Sequence, residues 1–246
     1  NHKNNYFKKE LLMTGSVVSY CPSFFLFFKV VMHMLSRERV IEVIEHRTPD
    51  RIPVYSWVAN LTSQITEKWG SVAAFEDKYE FDFTHLFGGP LRFTGEQLQE
   101  LGQSLGRAIE PKDLLDIEDQ DVNHMAAYDD LRAQVEHHKT QRGRFVYVQT
   151  PGIFEALNGV FGIENHLTWL ALYPEDLKEV YQRQAEWNLA FGLNCLEIGC
   201  DMVHVSDDWG AQSGLMFSPR TWWELIYPYH KIICDGVRQA GGYLSL

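Results

Sequence analysis

Short apolar runs alternating with helical stripes set the pattern of this chain. Extended runs occupy residues 51–57, 81–87, 144–150 and 202–207, and a fifth begins at 243. Each has the four to eight residues of a buried strand rather than the ten or more of a helix. Val40, Ile41, Val43 and Ile44 make an apolar helical stripe, which Thr48-Pro49-Asp50 ends. Ser36 is the expected N-cap of that helix, with Arg39 standing where a capping box wants Glu. Two short helices are expected at 65–69 and 72–79 around Gly70, a polar one at 124–139, and two more across 153–172. A long helix follows from Pro174 to residue 196, proline being suited to a first helical turn. Ser218-Pro219 opens another helix, which Pro228 should kink and Gly241-Gly242 stop. Residues 91–120 show weak periodicity and read as a partly extended excursion.

Strands that alternate with helices imply a parallel sheet. Five such units without a GxGxxG after the first strand fit a (β/α)8 TIM barrel of the α/β class, with about five of the eight strands present. A whole barrel takes roughly 250 residues. The expectation is therefore a C-terminally truncated barrel domain over 34–246. Residues 1–33 differ: a basic head with Lys3, Lys8 and Lys9 precedes an apolar run over 17–28 broken by Pro22. Lys29 and His33 cut that run short of the ~20 residues a membrane span needs. These residues read as an extension upstream of a true start at Met34, with a weak secretory signal or anchor as the alternative.

A net charge of −11 argues against a nucleic-acid partner, which demands clustered Lys and Arg, and mildly against a polyanionic small substrate. The four cysteines, at 21, 195, 200 and 234, form no CxxC pair and match no common zinc spacing. Buried thiols and a reducing, cytoplasmic setting are expected, with no membrane association. The chain has no P-loop, GxSxG or HExxH.

Candidate chemistry concentrates at the C-terminal tips of the strands, where parallel α/β proteins place it. The fourth run delivers Asp207 and Asp208, followed by Trp209 and, after a polar loop, Gln212. Adjacent side chains on an extended segment point to opposite faces, so one acid is expected to orient a reacting group while the other caps a loop. The competing reading is a pair of Asx-type turn carboxylates bonded only to backbone amides. His85 lies on a face with Phe81, Phe83 and Phe87, either as a useful imidazole or as a satisfied buried one. Trp57 and Asn60 follow the first strand; Glu155 and Asn158 follow the third. His204, in mid-strand, reads as core.

Four segments carry a family likeness: MLSRERVIEVIEHRTPDRIPV (34–54), TPGIFEALNGVFG (150–162), YPEDLKEVY (173–181) and DMVHVSDDWGAQSGLMFSPRTWWELIYPYHKIICDGVRQAGG (201–242). In this order and spacing they resemble the uroporphyrinogen decarboxylase superfamily, whose fold is one (β/α)8 barrel. True decarboxylases of the family imply an arginine-bearing loop after the first strand and an aspartate after the second. Here those places hold SWVANLTSQ (56–64) and Gly88-Gly89. An octacarboxylate lacking a guanidinium clamp would be poorly held. The resemblance therefore implies the corrinoid-dependent methyltransferase branch, acting on a small methylated substrate with a corrinoid protein as partner. Asp207 and Asp208 would orient the reacting group, and Trp57, His85, Glu155, Trp209 and Gln212 would bind substrate. Zinc, if used, is implied on His and Cys ligands beyond Leu246, with no metal ligand in this chain. A true uroporphyrinogen decarboxylase and a non-catalytic barrel binding a ligand or a corrinoid protein are the alternatives.

Overall fold

The computed structural model describes residues 33–246, so the expectation of an upstream extension over 1–33 lies almost wholly outside the described residues. In chain order the first elements are helices α1 (Ser36–Ile44), α2 (Thr62–Trp69) and α3 (Val72–Lys78), strand β1 (Phe83–Leu86), and helices α4 (Gly95–Leu105) and α5 (Asp129–Val135). Strand β2 (Phe145–Pro151) leads to helices α6 (Glu155–Phe161), α7 (Ile163–Leu172) and α8 (Pro174–Ile198), then strand β3 (Met202–Ser206). A hairpin of β4 (Gly210–Ala211) and β5 (Gly214–Leu215) precedes α9 (Pro219–Thr221), α10 (Tyr227–Gln239) and the last strand, β6 (Tyr243–Ser245). The strands β1, β2, β3 and β6 form one parallel sheet in that order.

Register sorts the strand residues into two faces. His85 pairs with Tyr147, Tyr147 with Met202, Gln149 with His204, and His204 with Ser245. Between these positions Leu86, Val146, Val148, Val203 and Val205 point the other way and are buried. That second face packs beneath α8 and α10, with α5 beside β1. Its core includes Leu131, Leu177, Val180, Tyr181, Ile233 and Val237. A fully buried side chain of this size contributes about 1.5–3 kcal/mol. Helices α8 and α10 meet at Gly236, where a Cβ would stand 2.4 Å from a Leu189 methyl. Among the described residues, α1 covers the first face at its N-terminal end, setting Val40 against Phe145 and Tyr147, and Tyr55 and Trp57 cover it along β1. We call it the open face.

Buried ion pairs hold the N-terminal ends of the strands. Asp82, just before β1, accepts from Arg39, Arg51 and the Val54 N–H. Asp201, just before β3, accepts from Arg37, Lys139 and the Val146 N–H. Charged side chains thus gather at one end of the sheet.

Four expectations need correction. Residues 51–57 do not form a strand. Pro53 has no N–H to give, and the Val54 N–H goes to the Asp82 carboxylate rather than to a ladder carbonyl. The segment nonetheless lies along β1, with Tyr55 stacked on Phe83 at 4.3 Å. Residues 91–120 are not an extended excursion: they contain α4, held by a reciprocal Thr94–Gln97 capping box, and a 3-10 turn at Pro111–Asp116. Leu98, Leu101 and Leu105 set α4 against the core at helical spacing. Helix α1 is capped at Leu35, not Ser36, and Glu38 reaches back to the Leu35 N–H at 3.2 Å. Finally, Pro228 acts through a π-helical turn at Trp222–Ile226, which joins α9 to α10. The missing proline N–H breaks the regular ladder there.

Candidate functional site

The C-terminal half of the open face carries polar and aromatic groups together. His85 stacks on Tyr147 with ring centroids 4.7 Å apart and 10° between planes. Trp57 stacks on His85 from the adjoining segment at 4.9 Å. The Tyr147 hydroxyl is hydrogen-bonded to that of Tyr55. Across the sheet, His204 Nδ1 and Ser245 Oγ lie 2.8 Å apart in a hydrogen bond. Above them Ser206 donates to Glu155 Oε2 at 3.3 Å. Half-buried Gln149 stands between the two histidine-bearing strands, in register with His204.

Both histidines are neutral at ordinary pH. Burial pushes the His85 pKa down to about 4, and His204, when protonated, adds to the effect. Burial also lowers His204. The His85 ring is not the satisfied core imidazole that an aromatic neighbourhood suggests, because its Nδ1 is buried without a hydrogen-bond partner among the described residues.

Asp207 occupies a different place. Its carboxylate is fully buried and accepts the backbone N–H groups of Ile153 at 3.0 Å, Phe154 at 3.1 Å and Glu155 at 2.6 Å, together with His230 Nε2 at 2.7 Å. Burial alone would raise its pKa, but His230 and the N–H groups of Glu155 and Phe154 outweigh it and hold the carboxyl below its usual range. This approach requires Gly152: a Cβ there would stand 2.3 Å from both Asp207 Cγ and the Ser206 carbonyl oxygen. Asp207 therefore ties the end of β3 to the start of α6, and so fixes Glu155 over Ser206. Asp208 is exposed and accepts the Gly210 N–H at 2.9 Å, closing an Asx-type turn.

The structure thus brings Trp57 and His85 together on the open face and sets Glu155 at its rim. Trp209 is elsewhere. Its indole meets Trp222 at 5.5 Å and His230 at 5.2 Å, against α10. Gln212 lies between β4 and β5 and is exposed, so neither residue joins the open-face cluster. Asn158 bonds His166 Nδ1 at 2.8 Å within a buried network that also holds Tyr181. Tyr147, Gln149, Ser206 and Ser245 escaped the sequence reading, and His204 was assigned to the core. For Tyr147, Gln149 and Ser206 the signal was the period-two alternation through 145–149 and 202–206, and register sets all four on the face of His85.

Cys195 and Cys200 are buried free thiols, and the contact with Cys200, together with burial, raises Cys195. Among the described residues no group of three His, Cys, Asp or Glu side chains is placed to hold a metal ion. The residues described do not fit a zinc centre. No described helix is long and apolar enough to cross a membrane.

Three of the four sheet strands, β2, β3 and β6, and the Asp207 tie lie in the second half of the chain. Residues 148–245 match the uroporphyrinogen decarboxylase (URO-D) family. The match runs from inside β2 to the end of β6, so it takes in Glu155, Asp207, His204 and Ser245. It supports the superfamily that the sequence motifs resemble, a family of TIM barrels that includes decarboxylases and methyltransferase-like members. Among curated proteins none matches the chain.

Proposed function

We propose that the chain is part of an incomplete (β/α)8 barrel of the URO-D superfamily and that it serves corrinoid-dependent methyl transfer from a small methylated substrate. One observation carries this choice over decarboxylation of a tetrapyrrole. The open-face positions of β1, β2, β3 and β6 hold aromatic, hydroxyl, amide and neutral imidazole groups, and no Lys or Arg. The arginines nearest the sheet are engaged elsewhere: Arg39 and Arg51 on Asp82, Arg37 on Asp201, and Arg144 on Glu76 and Asp77. An octacarboxylate needs guanidinium partners on the binding face. A small neutral substrate does not.

In this reading the corrinoid, carried on a partner protein, supplies the methyl-accepting or methyl-donating cobalt. The chain's own residues bind and orient. Trp57 and His85 pack the apolar part of the substrate. Gln149 and the Ser206–Glu155 pair hydrogen-bond its polar part. The His204–Ser245 pair would hand a proton to the heteroatom that loses its methyl group and keeps the bonding pair, the proton being replaced from water. Asp207 acts by positioning, through its hold on the backbone that carries Glu155. No step is routed through zinc.

The test is a spectral assay. Reduced cobalamin is supplied as a free acceptor with a panel of methylated amines, thiols, alcohols and aryl ethers, and formation of methylcobalamin is followed. Methylation with at least one of them supports the reading. Release of carbon dioxide from uroporphyrinogen without any corrinoid would refute it.

A further inference from the structure

A cavity of about 240 Å³ lies beside β1, the outermost strand of the sheet, against α2 and α3. Thr84 stands between Phe83 and His85 on that strand and so points away from the open face, where it is buried beside Glu76 of α3. Thr84, Glu76 and His138 form the polar wall of the cavity, and Val58, Val72 and Ala73 form an apolar one. Exposed Ser56 and Phe87 belong to the same lining, so the cavity opens to solvent. Its polar wall is thus behind the open face, and none of its lining comes from β2, β3 or β6.

Two atoms of that wall are free for a ligand. Glu76 makes its bonds through Oε2, which accepts Thr84 Oγ1 at 3.4 Å and Arg144 Nη1 at 3.1 Å. Oε1 takes neither. His138 Nδ1 accepts from Arg144 Nη1 at 2.9 Å, so the neutral ring carries its proton on Nε2. Among the described residues, the polar atoms sealed from solvent without a partner do not include Glu76 Oε1 or His138 Nε2. Both unbonded atoms are therefore open to the cavity. His138 Nε2 is a donor there, and a ligand that meets it must bring an acceptor.

Charge decides what kind of acceptor. Asp77 pairs with Arg142 and Arg144, and Arg144 also pairs with Glu76. With Glu76 ionised, two acids balance two guanidiniums; with Glu76 neutral, one negative charge is missing. A ligand anion fills that deficit when Glu76 takes a proton. Burial, which raises Glu76 to about 7 against the opposing effects of Arg144 and Thr84, puts that uptake within reach at neutral pH. The proton goes on Oε1, because Oε2 already receives two donors, and Oε1 becomes a second donor to the ligand. The imidazoles do not compete, since burial lowers His138 to about 4 and also lowers His137 on the same turn. A dry cavity of roughly 150 Å³ accepts benzene, so 240 Å³ holds a ring or short chain together with a carboxylate. We propose that this cavity binds a small monocarboxylate with an apolar body, its oxygens accepting from His138 Nε2 and Glu76 Oε1, with Glu76 taking up a proton from solvent as the ligand enters. The site does not depend on methyl transfer being the reaction of the open face.

Benzoate is the probe. Calorimetric titration of the full chain in buffers of different ionisation heat should show uptake of about half a proton per benzoate at pH 7, the fraction that a group titrating there still lacks. Affinity should fall about fivefold between pH 7 and 8 as the acid form of Glu76 is depleted. Glu76→Gln offers an N–H in place of the added proton. It should keep binding benzoate while its affinities at pH 7 and 8 differ by less than twofold. No benzoate binding at pH 6 overturns the proposal, and so does an affinity that is level or rises between pH 6 and 8. A fall that persists in Glu76→Gln overturns the role of Glu76. Should that variant fail to fold, infrared difference spectra of the unaltered protein decide, with benzoate isotope-labelled at its carboxylate. A protonated-carboxyl band of the protein must grow on binding, and its absence overturns the proposal.

Discussion

Replacing Asp207 by Asn tests whether this acid is a structural tie rather than an acid for chemistry. Oδ2 receives Ile153 N–H, Phe154 N–H and His230 Nε2, while Oδ1 receives Glu155 N–H at 2.6 Å and a share of Phe154 N–H. An amide offers one oxygen and one NH2. Whichever way it turns, the NH2 faces donors: either Glu155 N–H, or the pair formed by Ile153 N–H and His230. At least one buried donor then loses its acceptor, at about 1–3 kcal/mol. The charge that strengthened every remaining bond is gone as well. Breaking a buried, hydrogen-bonded charge pair costs about 3–5 kcal/mol in total, and that is the expected loss for Asp207→Asn. For a chain of this length it corresponds to a fall in Tm of about 6–20 °C. Urea denaturation followed by far-ultraviolet circular dichroism measures the loss. Asp208→Asn is the control, because among the described residues its exposed carboxylate holds only the Gly210 N–H; its expected cost is below about 1 kcal/mol. A loss under 1 kcal/mol for Asp207→Asn, or equal losses for the two variants, would show that Asp207 does not tie β3 to α6.

Gly152→Ala should destabilise by about 1–3 kcal/mol in the same assay, because its Cβ would meet Asp207 Cγ and a backbone oxygen at 2.3 Å; an unchanged midpoint contradicts the close approach. Arg39→Met leaves the carboxylates of Asp50 and Asp82 without their shared buried guanidinium and should cost about 3–5 kcal/mol; a stabilised variant would sink this account. Acid should also destabilise the protein, with a sign set by two opposing kinds of group. Burial lowers His85 and His138 to about 4 and His166 to about 3, so between pH 6 and 5 the unfolded chain carries three protons that the native one lacks. Burial raises Glu76 to about 7, so there the native state carries one that the unfolded chain lacks. The net from these four groups is uptake of about two protons on unfolding, and His137 and His204, which burial also lowers, add to it, so at least about 2.7 kcal/mol is lost per pH unit on going from 6 to 5. Glu76→Gln should steepen the slope by about one proton and His166→Gln should flatten it by about one; a slope that is zero or reversed in the parent protein refutes the assignment.

The strand pattern was legible because burial on both sides of a parallel sheet writes itself as apolar runs, and four of the five expected runs form strands. The exception, 51–57, has the apolar content of a strand, but Pro53 and the Asp82 carboxylate divert its backbone donors. Composition along the segment does not reveal a hydrogen bond to a residue 28 positions later. Helix α4 was hidden for a different reason: its stripe of Leu98, Leu101 and Leu105 is thin and interrupted by Gly102. Its capping box, Thr94 with Gln97, was the readable signal. The open-face residues were legible in principle from alternation, but histidines and serines in mid-strand look like core until register shows which face they share.

The adjacent aspartates show where sequence reasoning reaches its limit. Opposite pointing of Asp207 and Asp208 follows from strand geometry alone, and the structure has one buried and one exposed. Which of the two faces a ligand does not follow, because it depends on where the backbone of 152–155 passes, and that is set by Gly152. A residue without a Cβ is what lets the β2–α6 turn come within hydrogen-bonding distance of the end of β3. Once it does, the N–H groups of Ile153, Phe154 and Glu155 converge on a single carboxylate, and no free lone pair remains on it for a substrate in the ground state. The influence of Asp207 on chemistry must then run through Glu155, whose own carboxylate is exposed beside Ser206. A substitution at Asp207 that preserves the fold should therefore alter substrate affinity no more than Glu155→Gln does. If its effect exceeds that of Glu155→Gln in a stably folded protein, Asp207 touches the substrate itself and the positioning role is wrong.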